Sequence, residues 1–87
     1  MLTIENQTLV NKNISLIDPE TGEKHRTSIR LEEIEWTALQ KICVQKGISM
    51  NEFCSEADRD RLRREHSRTS RIRSAILDHF LREKLTN

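Results

Sequence analysis

The heptapeptide His25-Arg26-Thr27-Ser28-Ile29-Arg30-Leu31 restricts the fold more than any other stretch of the chain. Its polarity alternates strictly, which fits the two-residue period of a strand and not the 3.6-residue period of a helix. Thr27, Ile29 and Leu31 fall on one face and can enter a core, while Arg26, Ser28 and Arg30 fall on the other. The second face carries two guanidinium forks around a hydroxyl. Helical sequence follows at once, because Glu32, Glu33 and Glu35 suit a helix N-terminus, where carboxylates meet unpaired N–H groups and the positive end of the dipole. The fold must therefore send a half-buried strand directly into a helix.

The first helix is placed at about 33–46. Trp36, Leu39, Ile42 and Cys43 make one apolar stripe, and Gly47 is the stop signal. A second helix starts at about 49 and is expected to run to 66. In Ser49-Met50-Asn51-Glu52 the serine can cap the amide three residues on while Glu52 reaches back, and Ile48 and Phe53 occupy the positions of a hydrophobic staple. Beyond Ala57 only Leu62 is apolar before Ile72, so the end of that helix must be solvated or pressed against something acidic. A third helix, at about 69–84, follows from the stripe of Ile72, Ala75, Ile76 and Phe80. Upstream, Asp18-Pro19-Glu20-Thr21-Gly22-Glu23 is turn sequence. It makes residues 13–17 and 25–31 a hairpin, with residues 1–12 an N-terminal arm and 13–87 one domain. Overall the chain reads as α+β and mostly helical.

Composition limits what such a domain can do alone. Of 87 residues 34% are hydrophobic, and the aromatics are Trp36, Phe53 and Phe80. A core this thin favours association, and a homodimer is expected. Cys43 and Cys54 fall at apolar helical positions, as reduced thiols of a cytoplasmic protein would. The sequence contains no membrane-spanning run, and no membrane partner is expected. Net charge is only +1, yet Arg59 to Arg73 holds seven arginines against Asp60 and Glu65. That segment is either a solvated face laced with ion pairs to Asp58, Asp60 and Glu65 or a surface for phosphate or an acidic protein.

The succession of an alternating strand, a helix with an acidic start, Gly47-Ile48-Ser49-Met50-Asn51 and a second helix resembles the ribbon-helix-helix superfamily. With Trp36 in the first helix and Ser74-Ala75-Ile76 in an extra C-terminal helix, it resembles a bacterial subfamily having a His-Arg-Thr-Ser strand. The resemblance implies an intertwined homodimer whose strands, one from each protomer, pair into a ribbon that enters the major groove of double-stranded DNA. By position, Arg26, Ser28 and Arg30 would then contact bases. The amides of Ser49, Met50 and Asn51, helped by Lys46, would hold a backbone phosphate. Thr27, Ile29, Leu31, Trp36, Leu39, Ile42 and Phe53 would form the dimer core. Residues 70–81 also resemble the second helix of such proteins, so a register with a longer connection stays open.

The function these residues imply is sequence-specific DNA binding, in a cytoplasmic, nucleoid-associated bacterial regulator such as a repressor. The alternative is a protein-interaction module, for instance an antitoxin, phage-borne adaptor or scaffold, that engages a protein partner through Arg59–Arg73 or the N-terminal arm. A reading strand covered by residues 1–24 would favour that alternative. Cys43, Cys54, His66 and His79 lack the short spacings of zinc sites, so neither metal nor cofactor is expected. His25 is expected to make a structural hydrogen bond. With two glycines and no nucleophile elbow or phosphate loop, an enzyme is not expected.

Overall fold

The computed structural model of the protein describes residues 8–60, 62 and 67–85. Two strands, β1 (Leu9–Ile17) and β2 (Lys24–Glu32), precede three helices, α1 (Glu33–Lys46), α2 (Met50–Arg59) and α3 (Arg68–Leu85). The strands pair antiparallel in one unbroken register, from Leu9 opposite Glu32 to Ile17 opposite Lys24. The turn between them is held by Asp18, whose carboxylate accepts the amides of Glu20 and Thr21 at 2.8 and 3.3 Å. Gly22, at φ 76°, supplies the left-handed residue that lets the chain re-enter the ladder.

β1 is longer than the hairpin strand expected at 13–17, because Leu9 to Lys12 also pair with β2. Thr8 continues the ladder, its carbonyl accepting the Glu33 amide at 2.8 Å while its hydroxyl bonds the Glu32 carboxylate. Of the proposed N-terminal arm, residues 1–7 lie outside the described residues. α1 occupies the expected span, opened by a reciprocal box between Glu32 and Glu35 and closed by Gly47 at φ 68°.

α2 ends at Arg59, not at 66. Asp60 adopts extended backbone and its carboxylate accepts the Leu62 amide at 2.9 Å, a local bond that competes with continuing the helix. Residues 61 and 63–66 lie outside the described residues. The α2 start follows the sequence: Ser49 Oγ accepts the Glu52 amide at 3.0 Å and Glu52 Oε1 accepts the Ser49 amide at 2.9 Å. Ser49→Ala is expected to lower stability by about 0.5–2 kcal/mol, measurable by urea denaturation. α3 begins at Arg68, one residue before expectation, because Ser67 Oγ accepts the Ser70 amide at 3.2 Å.

The core lies between the inner face of the hairpin and the three helices. Ile14 and Leu16 of β1 and Ile29 and Leu31 of β2 meet Trp36, Leu39 and Ile42 of α1, Phe53, Cys54 and Ala57 of α2, and Ile72 and Ile76 of α3. β1 is secured from its outer edge as well. The Ser15 amide donates to Asn51 Oδ1 at 3.0 Å and the Ile17 amide to Ser55 Oγ at 2.9 Å. Those amides point away from β2, so Ser15 and its opposite residue, Arg26, form a non-hydrogen-bonded pair. By the same alternation the backbone groups of Arg26, Ser28 and Arg30 face the outer edge of β2 and have no hydrogen-bond partner among the described residues.

Candidate nucleic-acid interface

Opposite residues of an antiparallel pair share a face, so the register fixes the outer surface of the hairpin. Arg26 stands opposite Ser15, Ser28 opposite Asn13, and Arg30 opposite Asn11. Arg26, Ser28, Arg30, Asn11 and Asn13 are all exposed, while Ile14, Ile29 and Leu31 on the reverse face are buried. Arg30 Nε donates to Asn11 Oδ1 at 3.3 Å, which orients one guanidinium across the strands. The side chains of Arg26 and Ser28 have no hydrogen-bond partner among the described residues. β1 lies beside β2 and leaves the Arg26–Arg30 face uncovered. With Lys24, also exposed, this surface is cationic, rich in donors and free of buried charge.

The four groups proposed to hold a phosphate fare differently. The Ser49 amide is occupied by the Glu52 carboxylate, which also brings negative charge to that helix end. Met50 and Asn51 occupy the first two helical positions of α2, whose amides have no acceptor within the helix. The Asn51 side chain is committed to the Ser15 amide, which brings the start of α2 against the edge of β1. Lys46 is exposed in the last turn of α1. Phosphate contact by Ser49 through its amide would require opening the cap.

Of the residues assigned to a dimer core, Ile29, Leu31, Trp36, Leu39, Ile42 and Phe53 are buried within the single chain. Thr27 is only partly buried and accepts a bond from Arg68 Nη1 at 3.3 Å. Trp36 donates from Nε1 to the Val10 carbonyl at 2.9 Å, and Lys12 Nζ lies 5.6 Å from its ring centroid. The third helix and the hairpin cover these residues within one chain.

The arginine-rich segment is not a free basic face where it is described. Arg68 Nε and Arg71 Nη2 converge on Asp58 Oδ1 at 3.1 and 2.6 Å, Arg73 bridges to Glu35 at 3.1 Å, and Arg59 Nη1 donates to the Ile17 carbonyl at 3.3 Å. These contacts join different elements, unlike the pairs along one helix that the spacing suggests. Burial pushes the Asp58 carboxyl up, but the hydrogen bonds from Arg71 and Arg68 outweigh it and hold the group below the usual carboxylate range. His25 is exposed at the start of β2 and makes no hydrogen bond among the described residues, against expectation, because it borders an open cleft shared with the turn and with Ser55, Asp58, Arg59 and Arg68 and is not packed against a polar partner.

Both cysteines are free and buried, and burial pushes the Cys54 thiol up to about 12, so neither is a poised nucleophile. Among the described residues no group of three His, Cys, Asp or Glu could hold a metal ion, and no helix is long and apolar enough to cross a membrane. Sequence reasoning missed Asn11 and Asn13 on the outer face. Their signal was the alternation of Asn11, Asn13 and Ser15 with Ile14 and Leu16, hidden because Lys12 interrupts the apolar parity.

Comparison with curated proteins and with solved structures yields no match. The family model of the ribbon-helix-helix domain matches residues 9–80, from the first residue of β1 into α3. By its two strands, its capped helices and this match, the chain belongs to the ribbon-helix-helix domain family.

Proposed function

We propose that the protein binds double-stranded DNA sequence-specifically by laying the outward face of its hairpin in the major groove, and that it acts as a bacterial transcriptional repressor in the cytoplasm. Members of the family are typically non-enzymatic modules that dimerise and bind DNA. The homodimer is part of the proposal, with two copies reading the two halves of a short palindromic operator. One observation carries the reading: Arg26, Ser28 and Arg30 are exposed on one face of a strand whose other face buries Ile29 and Leu31. Guanidinium groups so displayed can pair bidentately with guanine O6 and N7, and serine accommodates several bases. Among the described residues nothing covers that face, which also supports groove reading over a protein-interaction module. The free amides of Met50 and Asn51, at the flank of the hairpin, suit a backbone phosphate.

Band-shift titration against duplexes selected from a random pool tests the proposal, at several salt concentrations. Replacing Arg26 and Arg30 together by alanine is expected to cost about 1–3 kcal/mol per lost guanine contact and to erase discrimination against unselected duplex. Weak, salt-sensitive binding should persist through the remaining cations. Unchanged affinity and selectivity would remove the base-reading role, and absence of duplex binding by the wild type would remove the function.

A further inference from the structure

We infer that one chain builds the whole groove-reading unit: β1 is the second strand of the ribbon, and Asn11 and Asn13 read bases beside Arg26, Ser28 and Arg30. The inference rests on the DNA-binding reading above and assigns it two further specificity residues.

The register brings Asn13 opposite Ser28 and Asn11 opposite Arg30 on the same exposed face. The Asn13 amide has no hydrogen-bond partner among the described residues. Asn11 uses its Oδ1 to accept from Arg30 and keeps its amide hydrogens free. A side-chain amide matches adenine N6 and N7 as a guanidinium matches guanine O6 and N7, so the face carries chemistry for both purines. Alternate residues on a strand are about 6.7 Å apart, close to two base-pair steps of about 3.4 Å. Neighbouring side chains of β1 and β2 can therefore address successive steps.

Width favours the same conclusion. Two strands about 4.8 Å apart fit a groove about 12 Å wide. Adding a second copy's hairpin along β2 would give four strands, about 14 Å between the outer strand axes before any side chain is counted. Such a sheet cannot enter flat.

The helices are also arranged as a groove-reading unit complete in one chain would need. α2 follows β1 toward the turn, from Asn51 at Ser15 to Ser55 and Arg59 at Ile17. α3 starts against β2, where Arg68 donates to Thr27, and goes on to α1, where Arg73 pairs with Glu35. Each helix opens with a serine whose Oγ accepts an amide three residues on, Ser49 from Glu52 and Ser67 from Ser70. Two antiparallel strands, each touched by a helix that opens on a serine cap, are thus packed within one chain.

The test compares wild type with Asn11→Ala, Asn13→Ala, Asn13→Thr, Arg26→Ala and Arg30→Ala on every single-base-pair variant of the best duplex selected by the wild type. Both Asn13 variants are expected to lose about ten-fold or more of the preference at an A·T pair adjoining the Arg-dependent positions. Their affinity for unselected duplex and their thermal unfolding midpoints should match wild type. Asn13→Thr keeps strand propensity, so a loss shared by both variants reports the missing amide and not a weakened strand. If the Asn variants keep every wild-type preference while the Arg variants lose theirs, the inference fails and the DNA-binding reading stands. If the wild type selects no sequence, both fail.

Discussion

Replacing Trp36 by alanine is expected to cost about 3–5 kcal/mol, a large share of the roughly 5–15 kcal/mol that holds a domain folded. Three contributions combine in that loss. The indole is 4% exposed and sits among the apolar residues joining α1 to the hairpin, so its removal leaves a cavity. Its Nε1 donates to the Val10 carbonyl, which ties α1 to the early part of β1. Its ring also lies under the Lys12 ammonium. Because Trp36 is the sole tryptophan, unfolding of the variant is followed by far-ultraviolet circular dichroism in denaturant. Trp36→Phe retains most of the volume and should lose much less. A variant as stable as wild type would mean that the early part of β1 is held by other contacts.

The second large effect is expected at Asp58. Its carboxylate receives Arg68 and Arg71 from α3, so it locks the C-terminal half of α2 to the start of α3 and, through Arg68, to Thr27 of β2. Asp58→Ala leaves partly buried guanidinium groups without their acceptor and should cost about 1–3 kcal/mol. The sign of the pH dependence follows from the lowered carboxyl pKa. A group whose folded pKa lies below its unfolded value stabilises fully above the ordinary carboxylate pKa, near about 3.9 for aspartate. That stabilisation disappears as pH falls through the folded value. Acid titration of wild type should therefore show a loss of stability below about pH 4 that Asp58→Asn lacks, the variant being weaker already at neutral pH. Equal acid sensitivity of the two proteins would show that the ion-pair centre does not couple α2 to α3.

Much of this architecture was legible in local sequence. The span of α1 followed from acids at one end and Gly47 at the other, and the start of α2 from Ser49 and Glu52, because caps are satisfied by neighbours a few residues away. What stayed hidden depends on partners distant in the chain. Leu9 to Lys12 carry no strand pattern of their own and become strand only because β2 offers its inner ladder. The end of α2 was misplaced because the Asp60 side chain offers the Leu62 amide a local bond that competes with helical continuation, and no apolar spacing marks that point. The candidate site divides the same way. Arg26, Ser28 and Arg30 were read from strict alternation, whereas Asn11 and Asn13 needed the register to join them to that face. The partners of Arg68, Arg71 and Arg73 required the packing of α3, since no helical spacing leads from Arg73 to Glu35.

The unpaired outer edge of β2 has a colloidal consequence. Within this nine-residue strand the outward backbone donors and acceptors of Arg26, Ser28 and Arg30 are a template on which copies of a chain could stack into a growing sheet. Antiparallel stacking centred on Ser28 would set Arg26 of each copy against Arg30 of the other. Like charges face to face oppose that growth. Salt that screens them, or a polyanion that neutralises them, weakens the protection, so the protein should stay dispersed best at low ionic strength and be most prone to fibre-like association when concentrated in high salt.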